Sequence, residues 1–111
     1  MMLEALALCL GVVHDGDSLK LCDGTRVRLV AKVGPIDAPE LPGSPRCKGC
    51  DPAPGYAARD RLRVILKQPA ELLCKGNDRY GRSLCRVTVN GRDVGDMLVN
   101  EGLAVVRDDW R

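Results

Sequence analysis

The chain has 111 residues, 45% of them hydrophobic and 29% charged, with a formal net charge of +2 at pH 7. That length fits a single domain over residues 1–111, and the composition is that of an ordinary folded protein rather than a disordered or membrane-spanning one. A charge of +2 does not by itself identify a nucleic-acid binder, and the three aromatic residues, Tyr56, Tyr80 and Trp110, exclude extensive base stacking.

In chain order, Leu6 to Val13, Ser18 to Cys22 and Arg26 to Val33 read as three consecutive strands. Asp23-Gly24 supplies the tight turn between the second and third. Alternation in Leu19-Lys20-Leu21 and Val27-Arg28-Leu29 predicts one buried and one exposed face. Gly34-Pro35 ends the third strand, because proline lacks the N–H that a ladder needs. Residues 41–54 are rich in Pro and Gly and read as a loop, after which Ala57, Ala58, Leu62, Ile65 and Leu66 recur at helical spacing, predicting a helix over about residues 54–67. Glu71 to Cys74 and Ser83 to Val89 read as strands around the connection Gly76 to Arg82, and Asn90-Gly91 marks another turn. Val94, Met97 and Leu98 predict a short helix stopped by Gly102, followed by apolar Leu103 to Val106. Five strands, two helices and no regular strand-helix alternation predict a small α+β barrel, with a core over about residues 5–106.

Six cysteines would make a disulfide framework in a secreted chain. The first ten residues lack a basic start, Glu4 interrupts their apolar run, and Gly11 leads directly into a turn motif, which reads against a leader and slightly favours the cytoplasm. Turns between Asp15 and Gly16 and between Arg79 and Tyr80 would set Cys9 opposite Cys22 and Cys74 opposite Cys85. Bridging is then geometrically possible, but small buried thiols are the expectation. Cys47-Lys48-Gly49-Cys50 is half of a zinc site without its other half, on an irregular loop, so a local disulfide or free thiols are expected there instead.

Two segments carry chemistry: Val13-His14-Asp15-Gly16-Asp17-Ser18-Leu19 and Ile36-Asp37-Ala38-Pro39-Glu40. Each sets carboxylates at a chain break beside an apolar run, where a rigid scaffold can hold them together. Asp-Gly alone is a common turn dipeptide, and Tyr80-Gly81-Arg82 alone is a loop. Basic residues gather in Arg59 to Arg63 and in Arg79 to Arg92, which fits either an anion-attracting rim around an acidic pocket or ordinary solvated faces. His14, the only histidine, is given no catalytic role.

Taken in order with Arg26-Val27-Arg28-Leu29, Asp78-Arg79-Tyr80-Gly81-Arg82-Ser83-Leu84, Gly91-Arg92-Asp93-Val94 and Leu98-Val99-x-x-Gly102-Leu103-Ala104, these segments resemble the staphylococcal nuclease (thermonuclease) family. The resemblance implies a five-stranded OB-fold barrel and calcium-dependent cleavage of phosphodiester bonds in DNA and RNA by a monomer acting on single-stranded or frayed substrate, without a membrane. It implies Asp17, Asp37 and the Ala38 carbonyl as calcium ligands and Glu40 as the residue that activates the attacking water. Arg28 and Arg82 would grip the scissile phosphate, Arg79 and Tyr80 a neighbouring one, and Asp15 would be an outer acid.

The chemistry stands without the name. A phosphodiester is anionic and resists hydroxide, so a hard cation on oxygen ligands and planar guanidinium forks on the phosphate oxygens both lower the barrier. One position is open. The family places an arginine five residues before the motif Asp, where this chain has Lys32, while Arg28 lies nine before it. In one extended strand Arg28 and Lys32 would stand ~13 Å apart, so both cannot serve one phosphate. An outward bulge of Ala31 to Pro35 would keep Arg28 in the site. After Val106, where the resemblance implies a later helix and tyrosines, the sequence reads Arg107-Asp108-Asp109-Trp110-Arg111. Rival readings are a catalytically weak OB-type binding module for nucleic acid or protein, and a small domain stapled at Cys47 and Cys50.

Overall fold

The computed structural model describes residues 6–32, 34–44 and 49–107. The chain opens with two short strands, β1 (Leu6–Ala7) and β2 (Leu10–Asp15), continues through β3 (Ser18–Leu21) and β4 (Arg26–Ala31), and returns in β5 (Gly34–Asp37). Helix α1 (Ala53–Ile65) follows, then β6 (Glu71–Asn77), β7 (Ser83–Val89), β8 (Arg92–Asp93), helix α2 (Val94–Asn100) and β9 (Val105–Val106). No helix among the described residues is long and apolar enough to cross a membrane.

The architecture is α+β, with two helices on a mostly antiparallel sheet whose hydrogen-bonded path runs β1-β6-β7-β4-β3-β2. The one parallel pair on this path joins β4 to β7, with Val27 opposite Ser83 and Arg28 opposite Leu84. That path is not a closed ring, although its two ends, β1 and β2, are separated along the chain only by Leu8 and Cys9. The core is aliphatic, as the scarcity of aromatics requires. Leu19, Val27, Leu29, Ile36, Ala58, Leu62, Val87 and Leu98 are essentially solvent-free.

Three expectations need correction, each for a physical reason. First, the strand expected over residues 26–33 stops at Ala31, and the chain does not bulge but reverses into β5, with Ala31 opposite Gly34 and Val30 opposite Pro35. Pro35 is tolerated because β5 is a short strand, not the continuation of β4. Second, Arg28 is buried rather than on an exposed face, at 5% exposure. The β2–β3 turn and β5 lie against the face of β4 that carries Arg28, bringing Asp17, Asp37 and the Ile36 carbonyl onto its guanidinium, so both faces of the strand are covered.

Third, the thiols are bridged. Cys9 joins Cys22 and Cys74 joins Cys85, and no described cysteine is free. Cys74 and Cys85 face each other directly across β6 and β7, with Cα atoms 4.0 Å apart, so the hairpin delivers the sulfurs to bonding range. Such bridges persist in oxidising surroundings. Cys47 lies outside the described residues, as do the first five residues and the last four.

The helices anchor where the sequence marks them. Asp93 caps α2 by accepting the Asp96 N–H at 2.9 Å, and the Asn90-Gly91 turn before it has φ of 52° and 75°, the left-handed pair that this dipeptide tolerates. α2 lies close on β4, since a Cβ built on Gly95 would come within 2.8 Å of the Ala31 Cα. We therefore expect Gly95→Ala to destabilise the fold by about 1–3 kcal/mol, read as a lower denaturation midpoint with an unchanged slope.

Candidate active site

The turn between β2 and β3 builds the first half of the site. Asp15 Oδ1 accepts the backbone N–H of Asp17 at 3.1 Å and the Ser18 hydroxyl at 2.7 Å, a local Asx arrangement that closes the turn. Gly16 is required for packing: a Cβ there would sit 2.6 Å from Ala58 Cβ and 2.7 Å from Ala38 Cβ. The absent side chain lets the turn press against both α1 and the Asp37-Ala38 corner. Asp17 is then fixed at both ends. Its carbonyl accepts the Leu29 N–H at 2.8 Å, and its Oδ2 accepts the Ala38 N–H at 2.8 Å.

The β4–β5 reversal builds the second half. By folding back, β5 returns Asp37 toward Arg28 despite the nine-residue separation. The Arg28 Nη2 donates to the Ile36 carbonyl at 2.7 Å and stands 3.6 Å from both Asp17 Oδ2 and Asp37 Oδ1. The two carboxylates thus flank one guanidinium, with their nearest oxygens no more than twice that distance apart. Lys32 is exposed. It is Arg28 that lies between the acids.

A model of the family described as staphylococcal nuclease homologue matches residues 26–111. The chain belongs to the staphylococcal nuclease homologue family. No curated protein matches it. The matched span includes Arg28, Asp37, Glu40, Arg79, Tyr80 and Arg82 but begins after Asp17, so the place of Asp17 in this nuclease-like domain rests on its contacts with Ala38 and Arg28.

The electrostatics of the nuclease-like site are those of buried charges in short supply of water. Burial pushes the Asp17 carboxyl up to about 8, with the Asp15 charge and hydrogen bond adding to it and Arg28 and the Ala38 N–H opposing it. The Arg28 guanidinium is lowered, first by its burial and also by the Arg82 charge, while Asp17, Asp37 and Asp15 support its protonated form. Arg82's charge is therefore felt at Arg28, but its Nε is bonded to Asp78 Oδ2 at 2.7 Å. The same Asp78 accepts the N–H groups of Tyr80 and Arg82, both at 2.9 Å. Burial works against it, yet these bonds and the Arg82 guanidinium hold the Asp78 carboxyl below its ordinary range. Arg79 and Arg82 both lie over the Tyr80 ring, 5.0 and 5.6 Å from its centroid, and Tyr80 is 58% exposed.

The remaining expected positions divide. Glu40 is half-buried beneath the first turn of α1, where a Cβ on Gly55 would meet its carbonyl oxygen at 2.5 Å. It does not complete a cluster with the aspartates: among the described residues no three of His, Cys, Asp and Glu gather to hold a metal. The basic run on α1 is held by other partners, with Arg61 on Glu101 at 2.7 and 3.0 Å, Arg59 on Asp60 and Arg63 on the Val13 carbonyl. A hard cation nevertheless suits the aspartates. Their oxygens are the right donors, and Asp37 Oδ1 is buried without accepting any hydrogen bond.

Two contributors were not singled out from the sequence. Asp78 had a signal, since an aspartate four residues before an arginine in a Gly-containing loop is placed to cap it. Arg107 had none: its Nη1 reaches Asp37 Oδ2 at 3.0 Å only because β9 pairs with β5.

The folded chain holds the Asp17 proton more tightly than the unfolded one, so this stabilising contribution is full below about pH 4 and lost as pH rises through about 8. In chelator, wild type should therefore lose stability relative to Asp17→Asn by a few kcal/mol between those limits, measured by urea denaturation at stepped pH. Parallel curves would reject the upward shift at Asp17.

Proposed function

We propose that this chain is a nuclease that hydrolyses phosphodiester bonds in DNA and RNA by metal-assisted attack of water, with calcium as its ion. The observation that carries this reading is the convergence of Asp17 and Asp37 on the single guanidinium of Arg28, at 3.6 Å each. Metal-assisted phosphodiester hydrolysis uses carboxylates for a hard cation and a guanidinium for the phosphate within one small space. Family membership supports a nuclease-type or nucleic-acid-binding module.

In this reading Asp17, Asp37 and the Ala38 carbonyl hold the ion. Calcium there supplies neutralisation of the phosphate charge and orientation of a water. Arg28 turns its fork from the carboxylates to the phosphate oxygens, where its value grows as negative charge accumulates in the transition state. Arg82 adds a second fork once it exchanges Asp78 for phosphate, a trade of one anion for another with similar geometry. Glu40 takes the proton from the attacking water. Arg79 and the exposed Tyr80 engage a neighbouring phosphate and base of a single-stranded or frayed segment, since one exposed ring can stack only on an unpaired base.

We also infer a single domain acting as a monomer on a five-stranded OB-type barrel. Support for the barrel comes from β1 and β2, the two ends of the hydrogen-bonded path, being successive pieces of one stretch of chain. A second reading is a binding module with little catalysis. It is favoured by Arg28 lying between the acids and by Arg82 lying on Asp78, which satisfy the charged groups internally.

Digestion of denatured DNA with calcium, then with excess chelator, separates the two. The nuclease requires digestion that the chelator abolishes; DNA binding without digestion establishes the module instead. Glu40→Gln should lower kcat by roughly 10²–10⁴-fold. Arg28→Ala should cost far more activity than Lys32→Ala, and full activity in Arg28→Ala would reject the assignment of the phosphate fork.

A further inference from the structure

Asp37 is held by guanidinium groups from two separate elements. Arg28, on β4, approaches Oδ1 at 3.6 Å as an ion pair without a hydrogen bond. Arg107, one residue beyond β9, donates from Nη1 to Oδ2 at 3.0 Å. The arginine is itself anchored, because its backbone N–H donates to the Pro35 carbonyl at 2.9 Å and the two preceding residues pair with Ile36 and Asp37. The Asp37 side chain is 15% exposed and that of Arg107 32%, so the bond lies at the rim of the site, with its inner oxygen turned away from water.

This division of labour between the two oxygens has a chemical consequence. A carboxylate rotates freely about its terminal torsion unless one oxygen is engaged. With Oδ2 committed to Arg107, Oδ1 is directed to the side where Arg28 and Asp17 lie, and it is the oxygen left buried without a hydrogen bond. We propose that Arg107 is a positioning residue of the cation site: by holding Asp37 Oδ2 from the β9 end, it presents Oδ1 as a preset ligand for a divalent cation shared with Asp17. This rests on the proposed nuclease reading and adds a residue to it.

A positive charge near the ion also repels it, so the two effects have opposite signs and can be told apart. Outer hydrogen bonds to ligating side chains change metal affinity by typically 10–100-fold. Repulsion at a partly exposed, screened guanidinium is weaker. Orientation should therefore prevail.

The test is calorimetric titration of calcium into wild type, Arg107→Ala and Arg107→Lys, each paired with a thermal unfolding midpoint in chelator. Arg107→Ala should bind calcium about tenfold or more weakly. Arg107→Lys should recover part of the loss, because its ammonium still donates to Oδ2 without the planar fork. The midpoints in chelator should stay within a few degrees of wild type. Equal or tighter calcium binding by Arg107→Ala overturns the proposal, as does a loss that Arg107→Lys fails to rescue while the chelated midpoint falls in step. A wild-type chain that takes up no calcium overturns the nuclease reading itself and takes this refinement with it, an outcome distinct from equal binding by all three proteins.

Discussion

Burial of the Arg28 guanidinium between Asp17 and Asp37 is the constraint on which the site depends. A charged group at 5% exposure is tolerated only when opposite charges and acceptors surround it. Here the surroundings come from two places: the β2–β3 turn, which carries Asp17, and the β5 strand, which carries Asp37 and the Ile36 carbonyl. Moving either would leave a buried charge with fewer partners. The geometry of the acids is therefore enforced by the arginine as much as the reverse.

Packing supplies the precision that the ion pairs alone lack. Gly16 admits Ala58 and Ala38 to the turn, Gly55 admits the Glu40 carbonyl to α1, and Gly95 admits Ala31 to α2. Each is a point where backbone must meet neighbouring atoms at a distance no Cβ permits. All three lie next to the strands and turns that carry Arg28, Asp37 and Asp17. The disulfides restrain the same region from outside, with Cys9–Cys22 closing β2 on β3 and Cys74–Cys85 closing the hairpin that ends in the Arg82 loop.

A polar logic also runs through the loop of Arg79, Tyr80 and Arg82. Asp78 gathers two backbone N–H groups and one guanidinium, which shapes the loop and holds Arg82 in a defined place. Arg26 joins from the start of β4 by donating to the Tyr80 carbonyl. The cationic rim is thus ordered by short-range bonds, whereas the basic run on α1, similar in composition, is spent on Glu101, Asp60 and the Val13 carbonyl. Charge counted along a sequence does not separate these two fates.

Local signals determined much of this protein. Asp-Gly and Asn-Gly turns, the apolar spacing of α1 and the ordered motifs around Asp17, Asp37 and Arg82 are legible because turn chemistry and periodicity act over a few residues. The facing of Cys9 with Cys22 and of Cys74 with Cys85 was legible for the same reason, though not their oxidation. Only the tertiary structure decided that Arg28 rather than Lys32 reaches the acids, since that depends on whether the chain between Ala31 and Gly34 runs on or reverses. It also brought in Arg107, which lies seventy residues from Asp37 along the chain. Contacts of that range follow from which strands pair, and strand pairing is set by the burial of the whole core rather than by any window of residues.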